Sequence, residues 1–329
     1  MILAADIGGT KTVLALFDEH SPHLEAVRQE TFPSRAYPEF SQVLEKFLTA
    51  SPRLSIRAAC FGVAGPIIDG RVRMTNLPWV LDEQELAKLL HTECVYLLND
   101  LQAAAIGMQH LKPEEFHVLN KGHERQRPGH AVLLAAGTGL GEAILYWDGQ
   151  RHVAMASEGG HTDYAPQSDQ EIELLRYLRK QFGHVSYERV LSGPGLYHIY
   201  CFLRDTGFAE EPGWLKEKIQ SSTPHTAAIT EVGLAKAHPL CSESLSLFAR
   251  IYGAAAGNLA LLVMASGGVY VGGGIAPRML PKLADGEFME SFMGKGRYRE
   301  FLAALPVRVA LNPLAPLLGA AEFARRSIH

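Results

Sequence analysis

Asp6-Ile7-Gly8-Gly9-Thr10-Lys11 lies between two apolar runs, Ile2–Ala5 and Thr12–Phe17. A carboxylate closing a buried strand, two residues free to take positive φ and a hydroxyl where the chain turns back make a hairpin tip that phosphate oxygens can approach. Thr10 can donate to a phosphoryl group, and Asp6 can reach a Mg²⁺ ion through water. The same residues also suit an ordinary hairpin, for which Gly-Gly is favoured. A second tip of this kind, Ala136-Gly137-Thr138-Gly139-Leu140-Gly141, sits between Leu133–Ala135 and Glu142–Leu145. Glycines at alternate positions are costly in a sheet unless a ligand or another backbone comes close. A strand follows where the dinucleotide fingerprint needs a helix, and no G-x-x-x-x-G-K-[ST] run occurs. A third glycine cluster, Gly272-Gly273-Gly274, closes the strand-like Gly267–Val271 and leads to Pro277, a residue suited to a first helical turn. Its bare backbone would admit an adenine or a ribose. Two matching hairpins suggest two related halves facing one another across a nucleotide.

Other polar residues have types suited to a substrate hydroxyl. Asn99-Asp100 ends the apolar Cys94–Leu98 and precedes Leu101-Gln102-Ala103-Ala104-Ala105. One of the pair can cap that helix. At a strand end of an open α/β sheet, where ligands usually bind, Asp100 can instead take a proton from a hydroxyl while Asn99 bonds its neighbour. Glu158-Gly159-Gly160-His161-Thr162-Asp163 sets a carboxylate and an imidazole close together on an irregular loop. A di-iron site would need a second Glu-x-x-His and further carboxylates on facing helices, and no second copy exists. Vicinal hydroxyls, each needing an acceptor and a donor, suit such a loop better. Glu188, in Val185–Gly195, offers another acceptor or simply pairs with Arg189.

Strands are expected at Ile2–Ala5, Thr12–Phe17, Glu25–Phe32, within Ala58–Pro66 ending in a glycine and proline turn, Cys94–Leu98, Ala131–Ala136, Glu142–Trp147, His152–Ala156 and Val307–Leu311. Helices are expected at Pro38–Ala50, Leu81–Leu90, Gln170–Phe182, Ser244–Ala265 and Leu314–Arg326. Strands alternating with helices imply an α/β protein. The polar, proline-punctuated stretch Gly207–Leu240 receives no assignment. At 329 residues the chain exceeds the size at which one core stops growing, so two domains are expected. These are residues 1–110, completed by a closing helix in 312–329, and 111–311 with a helical insertion.

A net charge of −4 with mixed signs provides no basic stripe for nucleic acid. Four dispersed cysteines, Cys60, Cys94, Cys201 and Cys241, argue against a disulfide framework or a structural zinc and fit a reducing cytoplasm. The start Met1-Ile2-Leu3-Ala4-Ala5-Asp6 lacks a basic n-region, so no signal peptide is expected. No stretch approaches the ~20 uninterrupted apolar residues of a membrane span.

Taken together, these segments resemble the bacterial glucokinase family, hexose kinases within the sugar-kinase, heat-shock-protein and actin superfamily. The resemblance rests on Asp6–Thr10, Gly65-Pro66-Ile67, Met74–Trp79, Leu98–Asp100, Gly137–Gly141, Glu158–Asp163, Glu188–Gly195 and Gly272–Ile275, in family order. It implies a two-domain actin-like ATPase (ribonuclease H-like) α/β fold, with nucleotide and sugar bound in a cleft between domains. It further implies ATP-dependent phosphorylation of glucose at the 6-hydroxyl, with ATP and Mg²⁺ as cofactors and a homodimeric assembly. Asp100 would then be the catalytic base, with Asn99, Glu158, His161 and Glu188 holding sugar hydroxyls. Asp6, Ile7, Gly8, Gly9, Thr10 and Lys11, together with Gly137, Thr138 and Gly139, would flank the phosphates, and Gly273 and Gly274 the adenosine. The cysteine-rich zinc motif of the related repressor, open-reading-frame and kinase group is missing. Lys11 departs from the glucokinase pattern and reads as a solvated strand residue. Other readings are a kinase for mannose, fructose or an N-acetylated hexosamine, and a sugar-sensing regulator. No helix-turn-helix precedes Asp6 to support the regulator, and an actin-like filament would leave Glu158 and His161 without purpose.

Overall fold

A computed structural model describes the whole chain except residues 22–23, 51–54, 75, 124–127 and 329. Thr75 of the Met74–Trp79 stretch and His329 of the closing segment thus lie outside the described residues. The chain forms two compact units. One contains Met1–Pro113, His152–Ala156 and Asn312–His329; the other contains Glu114–Arg151 and Ser157–Leu311.

The first unit opens with β1 (Ile2–Ile7), β2 (Lys11–Phe17) and β3 (Ala26–Pro33), then α1 (Phe40–Thr49) and β4 (Ala58–Val63). The small pair β5 (Arg71–Arg73) and β6 (Val80–Asp82), α2 (Glu83–Leu90), β7 (Val95–Asn99) and α3 (Asp100–Gly107) follow. Its main sheet has the order β3-β2-β1-β4-β7. β1 is antiparallel to β2 and parallel to β4, and β4 is parallel to β7. Leu3, Ala5, Ile7, Leu14 and Leu16 face one core with Phe40, Val43, Leu44 and Phe47 of α1. Ile2, Ala4, Val13 and Ala15 face another. This alternation of period two lets both faces of the same strands be buried.

The second unit holds β8 (Phe116–Asn120), β9 (Ala131–Ala136), β10 (Leu140–Trp147) and the strand β11 (His152–Ser157), whose first five residues count with the first unit. Next come α4 (Asp169–Phe182), α5 (Gly193–Asp205), α6 (Gly213–Ser221), α7 (His225–Leu234) and α8 (Pro239–Leu262). It ends with β12 (Gly268–Gly272), α9 (Leu280–Leu283), α10 (Glu287–Met293), α11 (Arg299–Ala303) and β13 (Val307–Ala310). Within this unit the strands lie in the order β10-β9-β12-β13-β8. The motif of the first sheet recurs: a hairpin, β9 with β10, followed by parallel β12 and β13. α8 is the one helix among the described residues long and apolar enough to cross a membrane, yet most of it is core, with Phe248 and Tyr252 fully buried.

The closing helix α12 (Ala315–Arg326) belongs to the first unit and packs against α3. A Cβ on Gly107 would strike the backbone carbonyl of Ala315, and one on Gly319 the carbonyl of Ala103. The two helices therefore cross at backbone distance, which only small residues permit. Ala103, Ile106, Leu317, Ala320, Ala321 and Ala324 fill the core around the crossing.

Several elements depart from the sequence expectation. The unassigned stretch 207–240 contains α6 and α7, short helices entered from Pro212 and Pro224. β8, a half-exposed strand at the sheet edge, carries no alternation to reveal it. α8 begins at Pro239 rather than Ser244, because His238 accepts from the Leu240 N–H and Pro239 fills the first turn. Pro277 starts no helix; the chain continues in turns, and the next helix is the short α9, with its own Pro281 in the first turn.

Candidate active site

In the first unit the glycine turn and the Asn99-Asp100 pair share one edge of the sheet. The register aligns Asp6 with Gly62 and Leu98, and Ile7 with Val63 and Asn99. These are the carboxyl ends of parallel β1, β4 and β7, the edge at which open α/β sheets bind ligands. The turn is braced from behind: Gly8 N–H donates to the Lys11 carbonyl at 3.0 Å, and the Ser34 hydroxyl donates to the Gly8 carbonyl at 2.7 Å. Ser34 also meets the Thr12 hydroxyl at 3.0 Å, and both residues are fully buried. Thr10 and Lys11 stay exposed at the tip.

Burial pushes the Asp6 carboxyl up to about 6, against the opposing pull of Lys11. It is still largely anionic at neutral pH and short of positive charge, a donor suited to a cation. Among the described residues, no three His, Cys, Asp or Glu side chains gather as a metal cage. One carboxylate beside a glycine turn suited to phosphate would fit Mg²⁺, which binds through phosphate oxygens, waters and one or two carboxylates.

Asn99 caps α3, its Oδ1 accepting from the N–H of Leu101 at 3.0 Å and of Gln102 at 3.4 Å. Asp100 is the first residue of that helix, and its Oδ1 accepts from Leu101 N–H at 2.9 Å. Asn99 thus acts as a structural cap, with its side-chain amide N–H groups as its remaining donors.

The other expected site residues lie in the second unit. Gly137 N–H closes the turn onto the Gly139 carbonyl at 2.8 Å, and the Gly137 carbonyl accepts from Gly193 N–H at 2.8 Å. Gly272 pairs with Ala135, and Ile275 N–H donates to the Ala136 carbonyl at 3.1 Å. Gly273 has φ +81, and a Cβ there would strike the Ala136 backbone. The Gly273-Gly274 run therefore lies directly against the root of the Gly137–Gly139 turn.

Glu188 does not pair with Arg189, whose guanidinium stacks over the Phe182 ring at 4.2 Å. Its Oε2 instead accepts from Leu140 N–H at 3.0 Å, and a Cβ on Gly139 would collide with that carboxylate. Glu158 and His161 flank a tight 3₁₀ turn in which His161 N–H donates to the Glu158 carbonyl at 2.9 Å. Tyr187 N–H donates to the Thr162 carbonyl at 3.0 Å, which ties that turn to the one bearing Glu188. Both Glu158 and His161 are exposed. Three turns, one suited to phosphate and two to hydroxyls, are thus joined by backbone hydrogen bonds into one piece.

Sequence reasoning passed over Ser34, Ser192 and Asn76. Ser192 caps α5 through Gly195 N–H and donates to the Glu188 carbonyl at 2.7 Å. Asn76 packs against Gly9 closely enough that a Cβ there would touch it. A serine before Gly-Pro-Gly is a legible cap signal; Ser34 and Asn76 act only through tertiary contact.

A family model described as Glucokinase matches residues 3–327. The chain belongs to the glucokinase family. It is 39% identical to the glucokinase of Nostoc punctiforme, with 99% of each chain covered. To the glucokinase of Synechocystis sp. it is 40% identical, covering 99% of this chain and 98% of the relative. Among solved structures, a glucokinase from an Antarctic psychrotroph superposes with a TM-score of 0.86 at 32% identity, covering 99% of this chain and 98% of that one. The paired sheets of hairpin and parallel strands are the actin-like ATPase fold of these glucokinase-family sugar kinases.

Proposed function

We propose that this chain transfers the γ-phosphoryl group of ATP to the 6-hydroxyl of glucose, giving glucose 6-phosphate and ADP. The observation that carries this reading is the bond from Leu140 N–H to Glu188. It joins an acceptor suited to a sugar hydroxyl to a backbone turn suited to phosphate, within a chain of the glucokinase family.

The primary hydroxyl of a sugar is a weak acid, so a carboxylate in hydrogen-bond reach must take its proton as oxygen attacks phosphorus. Asp100 takes that role: the O6–Pγ bond forms, the bond from Pγ to the β-phosphate oxygen breaks, and ADP leaves. Asn99, Glu158, His161 and Glu188 fix the remaining hydroxyls so that O6 alone is aimed at phosphorus. The turns Asp6–Lys11 and Gly137–Gly139 supply N–H groups to the phosphates, and Gly273-Gly274 leave room for adenosine. Mg²⁺, when bound, neutralises phosphate charge, and Asp6 would hold it through water. A homodimer in the cytoplasm is part of the same reading.

A coupled ADP-release assay with ATP and Mg²⁺ across a panel of hexoses tests the proposal. Glucose is expected to be turned over with the highest kcat/KM. Preference for mannose, fructose or an N-acetylated hexosamine would replace the substrate, and no activity on any hexose would remove the kinase reading.

A further inference from the structure

Glu142 is a buried acid for which phosphoryl transfer has no evident use. It lies two residues into β10, the strand that leaves the Gly137–Gly139 turn, and only 7% of it is exposed. Among the described residues no hydrogen bond or ion pair engages its carboxyl. Its Oε2 lies directly beneath Gly159, where a Cβ would collide with it, and the same absent Cβ would come within 3.1 Å of the Ser157 hydroxyl. Leu140, one turn of the pleat earlier on the same face, puts its carbonyl beneath Gly160 in the same way. β10 is therefore a floor on which the Glu158–His161 turn rests, and Glu142 forms half of that floor.

The titratable groups that feel Glu142 are the phenols of Tyr187, beside Glu188, and of Tyr252, on α8. Glu158 and His161 belong to the turn above. Among the described residues no Lys, Arg or His compensates the carboxyl, and burial pushes it up to about 7. An acid that costs this much to ionise, set against a turn that must be glycine to clear it, needs a positional reason.

We propose that Glu142 is a positioning residue for the sugar-holding turn, its carboxyl supporting Gly159 from beneath, beside the Leu140 carbonyl under Gly160, so that Glu158 and His161 meet the hexose. The inference rests on the glucokinase reading above. Ionisation places an unpaired charge under the turn, which draws in water and loosens the support. Sugar binding, which needs the turn seated, weakens in proportion to the ionised fraction.

The test is the pH dependence of the glucose KM in the parent and in Glu142→Gln, which keeps the shape and cannot ionise. In the parent, KM is expected to rise by up to about tenfold between pH 6 and pH 8 for an acid titrating near 7, with kcat following a separate profile. In Glu142→Gln the rise is expected to vanish. An identical KM rise in both proteins, or none in the parent, overturns the proposal while leaving the kinase reading intact. Failure of the parent to phosphorylate any hexose is the distinct signature that the kinase reading itself is wrong. Should Glu142→Gln not fold, Gly159→Ala places a methyl group onto Oε2. It is expected to raise the glucose KM far more than it lowers kcat, and an unchanged KM overturns the proposal.

Discussion

Asp100 and the side chains proposed to hold sugar hydroxyls make separable predictions. Asp100→Asn keeps the size of the side chain but cannot take a proton, so kcat should fall by about 10²- to 10⁴-fold while glucose affinity is largely retained. Near-normal turnover, measured by steady-state ADP release, would remove Asp100 as the base. Glu158→Gln and His161→Ala should instead act on glucose KM, by several-fold to about tenfold each, as expected for losing a hydrogen bond to a substrate hydroxyl. Calorimetric glucose binding equal to the parent's would contradict that role. Residue types and spacing made Asn99, Asp100, Glu158, His161 and Glu188 visible as candidates in the sequence. They offered a helix cap at Asn99 or Asp100 without deciding between the two, and did not reveal that Glu188 faces Leu140 N–H rather than Arg189. Both outcomes depend on which backbone N–H groups the fold leaves unpaired. Glu142 was hidden for a related reason: only the approach of Gly159 from a later turn gives it a neighbour.

Elements place these residues, and their contacts can be broken without touching the site. α3 carries Asp100 at its first residue and is clasped by α12 at Gly107 and Gly319. Gly319→Ala must push the helices apart, costing about 1–3 kcal/mol of stability by overpacking. It should lower kcat, since Asp100, the proposed base, shifts with the first turn of α3. Chemical denaturation and steady-state kinetics on one preparation check both. Gly273→Ala, at φ +81 against the Ala136 backbone, should raise the KM for ATP and leave that for glucose near the parent value. Strands and amphipathic helices with strong periodicity were legible to within a few residues, among them β9 and α4. α6, α7, α10 and α11 were not: each is short and follows a proline-, glycine- or turn-rich stretch, and tertiary packing more than local pattern holds it.

For the molecule as a whole, the duplicated hairpin-plus-parallel sheet was foreshadowed by two glycine tips alike in profile, although either alone could be a plain turn. Their meaning came from order along the chain, with Asn99-Asp100 before the second tip and Glu158–His161 after it. Global stability should carry the signature of the buried acid. Folded Glu142 holds its proton to about 7, against an ordinary value of 4.5, so the folded chain binds more protons between those limits. Stability therefore falls as pH rises through that window, by about 3 kcal/mol at most, and the loss persists above it. Urea unfolding at pH 5 and pH 8 should show this contribution in the parent and its absence in Glu142→Gln; equal pH differences in the two would refute it. ADP release with ATP, Mg²⁺ and glucose, run side by side on the parent and Asp100→Asn, decides whether this chain is a glucose kinase with Asp100 as its base. Rapid glucose-dependent turnover should collapse in the variant while glucose still binds; no glucose-dependent ADP release from the parent, or equal release from both, would rule this out.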